Sequence, residues 1–156
     1  MSSIRGVGAM AHEFYVQVKW LGGVIGEAKL GDTGTLKFAL PKEFGGVEGY
    51  FKPEELLLTS LVACYSVVVW RAVAKQRVEL LDYNIDSKLV MEKDSEGRNV
   101  LTKAVVNVNI KAKRREDHDK IMRALEIAEK YCPIGRALNN SLKITYNANV
   151  TYEDRT

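Results

Sequence analysis

Apolar and polar residues alternate in three short stretches at the start of the chain. From His12 to Trp20, the side chains of Phe14, Val16, Val18 and Trp20 fall on one face and those of Tyr15, Gln17 and Lys19 on the other, the period-two pattern of a half-buried β-strand. Gly22-Gly23 turns the chain into a second strand over about 24–30. Gly31-Asp32-Thr33-Gly34 turns it again into a third over 35–40, where Leu36, Phe38 and Leu40 alternate with Lys37 and Ala39. The pattern predicts an antiparallel meander. The loop from Pro41 to Lys52 holds three glycines without the spacing of a phosphate-cradling motif, and is expected to be flexible.

At Pro53 the period changes. Proline presets the first helical turn, Glu54 and Glu55 complement the positive end of the helix dipole, and Arg71 to Arg77 places basic groups at the other end. The predicted helix, 54–77, spans about 36 Å at 1.5 Å per residue. From Leu56 to Val69 it is apolar nearly all round, a composition that asks for burial on every side. A chain of 156 residues can hardly surround such a helix unaided, so a homodimer with this helix near a shared core is expected.

Strands over 81–93 and 99–113 follow, joined by the turn Asp94-Ser95-Glu96-Gly97. An amphipathic helix over 115–131 carries Ile121, Leu125 and Ala128 at helical spacing, and a last strand alternates from Leu142 to Val150. Between them Pro133 breaks one helix and suits the first position of another, which puts Cys132 at a helix N-terminus. The expected order is βββ-α-ββ-α-α-β, an α/β (α+β) fold in a single domain over residues 1–156, with 1–11 as a mobile tail.

Composition narrows the function. A hydrophobic share of 46% with 28% charged residues and a net charge of +3 describes an ordinary globular domain. The basic run from Lys111 to Arg115 is followed at once by Glu116-Asp117, which makes it a solvated strand end rather than a nucleic-acid surface. The most apolar stretch, Leu56 to Trp70, is 15 residues long, short of the roughly 20 needed to span a bilayer, so no membrane partner is expected. The N-terminus lacks the apolar core of a signal peptide, which gives a cytoplasmic address. Two cysteines and two histidines, far apart, do not form a metal-ligand set, and no cofactor is called for.

Chemistry therefore rests on Cys64 and Cys132. The thiolate is the reactive form of cysteine, and exposed amides at a helix start favour it, a setting Cys132 has by sequence. Cys64 faces Ser60, Leu61, Val67 and Val68, a mostly apolar wall that disfavours ionisation unless a charged group arrives from elsewhere. From these residues alone, two inert core cysteines remain an open alternative.

Pro53-Glu54-Glu55-Leu56-Leu57, then Ala63-Cys64 on a long apolar helix, then Tyr131-Cys132-Pro133 ahead of a final strand together resemble the OsmC/Ohr superfamily. The resemblance runs from Trp20 to Val150, and Ala128 to Cys132 is similar to a less characterised branch of that superfamily. It implies an intertwined α/β homodimer around two long central helices. It also implies a thiol-dependent peroxidase that reduces organic or lipid hydroperoxides and is regenerated by a dithiol reductant. On this resemblance Cys64 is the peroxidatic cysteine, Cys132 the resolving one, and Glu54 the acid just after proline. One family feature is missing: where peroxidase members carry an arginine in the N-terminal hairpin, this chain reads Gly22-Gly23-Val24-Ile25-Gly26. Arg71 and Arg136 are the candidate substitutes. The competing reading is a non-catalytic dimer of the same fold that binds a hydrophobic small molecule and keeps both cysteines as packing.

Overall fold

The computed structural model describes residues 10–154, so most of the expected N-terminal tail, 1–9, lies outside the described residues. The chain divides into two compact units at Pro53 and Glu54.

The first unit is the expected meander. Strands β1 (Val16–Gly22), β2 (Ile25–Leu30) and β3 (Gly34–Ala39) form an antiparallel sheet in the order β1-β2-β3. β1 starts later than the alternation suggests and ends in an irregularity between Trp20 and Gly22. Its apolar face is not half-buried: Phe14 is 94% exposed, Trp20 74%, and Val16 and Val18 are exposed as well. Alternation marks a face that can be covered without saying what covers it, and among the described residues this one is left open. The loop after β3 is also tied down rather than loose. A 3₁₀ turn at Lys42–Phe44 is held by the Phe44 and Gly46 amides, which both donate to the Pro41 carbonyl at 3.0 Å. Gly46 is required here, since a Cβ would come within 1.7 Å of the Leu40 carbonyl oxygen.

The second unit contains α1 (Pro53–Lys75, its proline at the boundary), β4 (Leu80–Lys93), β5 (Asn99–Ala112), α2 (His118–Tyr131), α3 (Pro133–Leu138) and β6 (Lys143–Tyr152). The strands form a second sheet in the order β4-β5-β6. β4 and β5 pair antiparallel through a turn in which one Asp94 carboxylate oxygen accepts the Glu96 and Arg98 amides at 2.9 Å each. β6 pairs parallel to β5, placing Tyr146 beside Val106. β5 is therefore central, and Ala104, Val106, Val108, Ile110 and Ala112 on its inner face are all buried. Leu61, Tyr65, Val69 and Val73 of α1 and Ile121, Ala124, Leu125 and Ala128 of α2 share that core.

The element order matches the expectation, but the described residues cover α1 on one face only. Val67 is 54% exposed and Trp70 is also open. α1 matches the predicted 54–77 to within two residues at each end, but its apolar stretch is longer than the 15 residues from Leu56 to Trp70. Thr59 and Ser60 do not interrupt the apolar run, because their hydroxyls donate to the carbonyls of Glu55 at 2.7 Å and Leu57 at 2.6 Å and so satisfy themselves within the helix. The resulting 23-residue helix is long and apolar enough, by length and composition, to cross a membrane. Core helices of globular domains share that property, and α1 supplies the buried Leu61, Tyr65 and Val69. The basic run is neutralised locally: Lys113 pairs with Glu153 at 2.8 Å, Arg114 with Asp117 at 3.2 Å, and Arg115 lies over the Tyr152 ring.

Candidate active site

Pro133 decides the conformation of Cys132. A residue before proline is driven out of helical geometry, and Cys132 sits at φ −61°, ψ 113°, closing α2 and capping α3. Its sulfur accepts the Gly135 amide at 3.4 Å. Gly135 lies in the middle of this packing: a Cβ there would stand 3.3 Å from the Tyr146 hydroxyl, 3.6 Å from the Cys132 sulfur and 3.7 Å from a Leu61 methyl. A hydrogen at that position lets α1, α3 and β6 close around one thiol.

Cys64, from the middle of α1, is brought to the same place. Both cysteines are free thiols, Cys64 half-buried and Cys132 0% exposed. They act on each other directly. Burial first, then a side-chain hydrogen bond with Cys64 and the Cys64 charge, push the Cys132 thiol up to about 11, against the smaller opposing pull of the Gly135 and Ile134 amides. This corrects the expectation from sequence that a helix start activates Cys132. The helix is only six residues long, and complete removal from water outweighs the amides it offers. Cys132 is thus held protonated at neutral pH, and Cys64 is the thiol that a molecule arriving from solvent can meet.

Tyr146 and Tyr65 complete the surroundings, and sequence reasoning missed both. Their rings stack with centroids 4.9 Å apart. Burial, followed by Cys132, Glu129 and Cys64, raises the Tyr146 hydroxyl to about 12, so it is a neutral O–H donor at working pH. The strand period put Tyr146 on the inner face of the last strand, yet nothing local told which inner residue would reach the thiols.

Glu54 is not part of this cluster. It is the second residue of α1, ten positions before Cys64, which corresponds to about 15 Å along the helix axis. One of its carboxylate oxygens, Oε2, is buried and has no hydrogen-bond partner among the described residues. Arg136 lies exposed in the last turn of α3, and Arg71 lines a cavity between α1 and α2.

The coupling of the two thiols has a measurable consequence. Replacing Cys64 with Ala removes two of the influences that raise Cys132 and should lower its pKa, seen as alkylation of Cys132 that sets in at lower pH than in the wild-type chain. An unchanged alkylation profile would mean that the thiols are electrostatically independent.

Comparison with known proteins identifies the family and the fold. Residues 46–147 match the sequence profile of the family described as OsmC-like protein. An uncharacterised protein of Bacillus subtilis, YmaD, is 24% identical over 149 residues, covering 89% of this chain and 95% of that one. Among solved structures, an OsmC-like protein of unknown function from Vibrio cholerae superposes with a TM-score of 0.79 at 17% identity, over 89% of this chain and 100% of its own. An organic hydroperoxide resistance protein OsmC from Legionella pneumophila gives 0.71 at 19% identity, over 91% and 100%. At such identities the structural likeness establishes the fold, and chemistry has to be argued from the thiols.

Proposed function

This chain belongs to the OsmC-like protein family, and we propose that it is a thiol-dependent peroxidase that reduces organic hydroperoxides to alcohols. The observation that carries this reading is the pair of interacting free thiols, one half-buried and one fully buried, on elements 68 residues apart in sequence.

The Cys64 thiolate attacks one oxygen of the hydroperoxide. An S–O bond forms, the O–O bond breaks, and the alkoxide takes a proton and leaves as alcohol while the sulfur is oxidised to a sulfenic acid. We assign the proton to the Tyr146 hydroxyl, a neutral donor packed with the Cys132 sulfur around Gly135, and the hydroxyl regains a proton from solvent. Conversion of Cys64 to the sulfenic acid removes the charge and hydrogen bond that raise Cys132, so the resolving thiol becomes easier to ionise only after the first step. Cys132 sulfur then attacks the Cys64 sulfur, an S–S bond forms, and the sulfenic oxygen leaves as water. A dithiol reductant restores both thiols by exchange and becomes a disulfide itself. The apolar neighbours of Cys64 favour alkyl or lipid hydroperoxides over hydrogen peroxide.

The working unit in this proposal is a cytoplasmic homodimer in which residues 1–156 act as one domain. The exposed apolar face of Phe14, Val16, Val18 and Trp20, and the uncovered Val67 and Trp70 of α1, support a second copy as their cover. Glu54, with a buried and unpartnered oxygen, then acts across the interface on a cation of the second copy. The competing reading, a dimer that binds a hydrophobic molecule with both cysteines structural, draws on the complete burial of Cys132.

One equivalent of cumene hydroperoxide separates the two. The peroxidase loses two thiols and the mass of two hydrogens, and its Cys132→Ser variant stops at a sulfenic acid. Retention of both thiols would leave only the binding reading. Light scattering on the same sample should give twice the chain mass of 17.5 kDa.

A further inference from the structure

Distance along the chain argued against a metal, and the fold removes that argument for an ion that needs few ligands. Cys64 and Cys132, 68 positions apart in sequence, are free thiols within hydrogen-bonding reach of each other. Among the described residues no histidine, carboxylate or further cysteine joins them as a third metal ligand. The surroundings are apolar as well. Cys132 belongs to the buried core, and Leu58, Val62 and Ile134 pack against that core together with Cys64. Cys64 is half-buried, which leaves an ion a way in from solvent.

A set of two sulfurs selects its ion by chemistry. A structural zinc takes four ligands, and calcium and magnesium take oxygen donors, so this pair serves none of them. Copper(I) is soft, prefers thiolates and is satisfied by two of them in a line. At a metal–sulfur length like that of zinc thiolates, about 2.3 Å, a linear S–Cu–S bridge sets the two sulfurs about 4.6 Å apart. Thiols that already touch need only a small side-chain adjustment to reach that span. Two thiolates around one monovalent cation leave a single negative charge. The Gly135 and Ile134 amides donate to the Cys132 sulfur, and the Tyr146 hydroxyl packs around the same glycine, so donors are in place for that charge.

We propose that Cys64 and Cys132 together bind one copper(I) ion in two-coordinate geometry. Each thiol gives its proton to solvent, two S–Cu bonds form, and no electron is transferred. The ion ionises Cys132 outright, which the short helix behind it does not do. Sulfurs held by copper are not free to attack an O–O bond, so metal binding and peroxide reduction exclude each other. The copper site uses the same two sulfurs as the peroxidase reading and does not rest on it.

The test titrates the reduced full chain anaerobically with copper(I) in competition with a chromophoric chelator, and treats Cys64→Ser and Cys132→Ser alike. The expected result is one copper per chain, held at least about a hundredfold less tightly by either variant and not displaced by about a tenfold excess of zinc(II). X-ray absorption on the loaded wild-type chain should show two sulfur neighbours and no nitrogen or oxygen. Should a serine variant fail to fold by circular dichroism, that spectrum decides alone. Wild-type affinity in either variant, a third ligand, a stoichiometry other than one per chain, or no binding overturns the proposal. The readout involves no peroxide and the thiol count uses the metal-free chain, so the two readings fail separately: copper binding by thiols that survive cumene hydroperoxide would sink the peroxidase alone.

Discussion

Replacing Cys64 with Ser is expected to lower kcat/KM for an organic hydroperoxide by at least about a thousandfold while the fold survives, because it removes the proposed nucleophile, the one of the two cysteines that is not fully buried. Serine is close in size, and the position is half-buried beside Ser60 and Leu61, so the packing cost is small. Its hydroxyl, unlike a thiol, is not ionised near neutral pH and has no accessible oxidation ladder. The partner substitution behaves differently. In Cys132→Ser a single turnover should still produce one equivalent of alcohol, since the proposed mechanism places O–O cleavage at Cys64, and only the return to the reduced state is impaired. Stopped-flow alcohol release from both variants, side by side with the wild type, checks the order. Full loss of the first turnover in Cys132→Ser, with activity kept in Cys64→Ser, would reverse the roles assigned to the two thiols.

The largest effect on stability is expected from Tyr65→Ala. Tyr65 is 1% exposed, stacks on Tyr146 and belongs to the core that α1 shares with β5 and α2. Truncation of a buried aromatic to alanine leaves a cavity and costs about 3–5 kcal/mol. Urea denaturation should show a lower midpoint with an unchanged slope, which identifies lost stability rather than a changed unfolded state. Tyr65→Phe keeps the ring and its stacking, and should cost less than about 1.5 kcal/mol. A loss below about 1 kcal/mol for Tyr65→Ala would show that the thiol pocket collapses around the missing ring and that the stack does not brace it. The two results bear on each other, because the same ring that holds the core also backs Tyr146, the proposed donor.

Much of this was legible before any coordinates. Period-two alternation predicted the strands, the run after Pro53 predicted α1 to within two residues at each end, and Pro133 placed Cys132 at the junction of two helices. These features depend on backbone geometry within a few residues of each position, and a linear pattern records such geometry directly. The family resemblance, carried by residues 53–57, 63–64 and 131–133, holds as well. What lay beyond the sequence depends on neighbours distant along the chain. Alternation marked Phe14, Val16, Val18 and Trp20 as one face, but whether anything packs on that face is a matter of tertiary structure, which leaves it exposed. Nothing in β6 told that it would run parallel to β5 and bring Tyr146 to the thiols.

Cys132 shows the division most clearly. The sequence determined its backbone, through the proline that follows it, and the amide of Gly135 that its sulfur accepts. Whether those amides or the loss of water governs the thiol was decided only when α1, α3 and β6 closed around it, because desolvation is a property of everything within reach, whereas a helix start is a property of the next few residues.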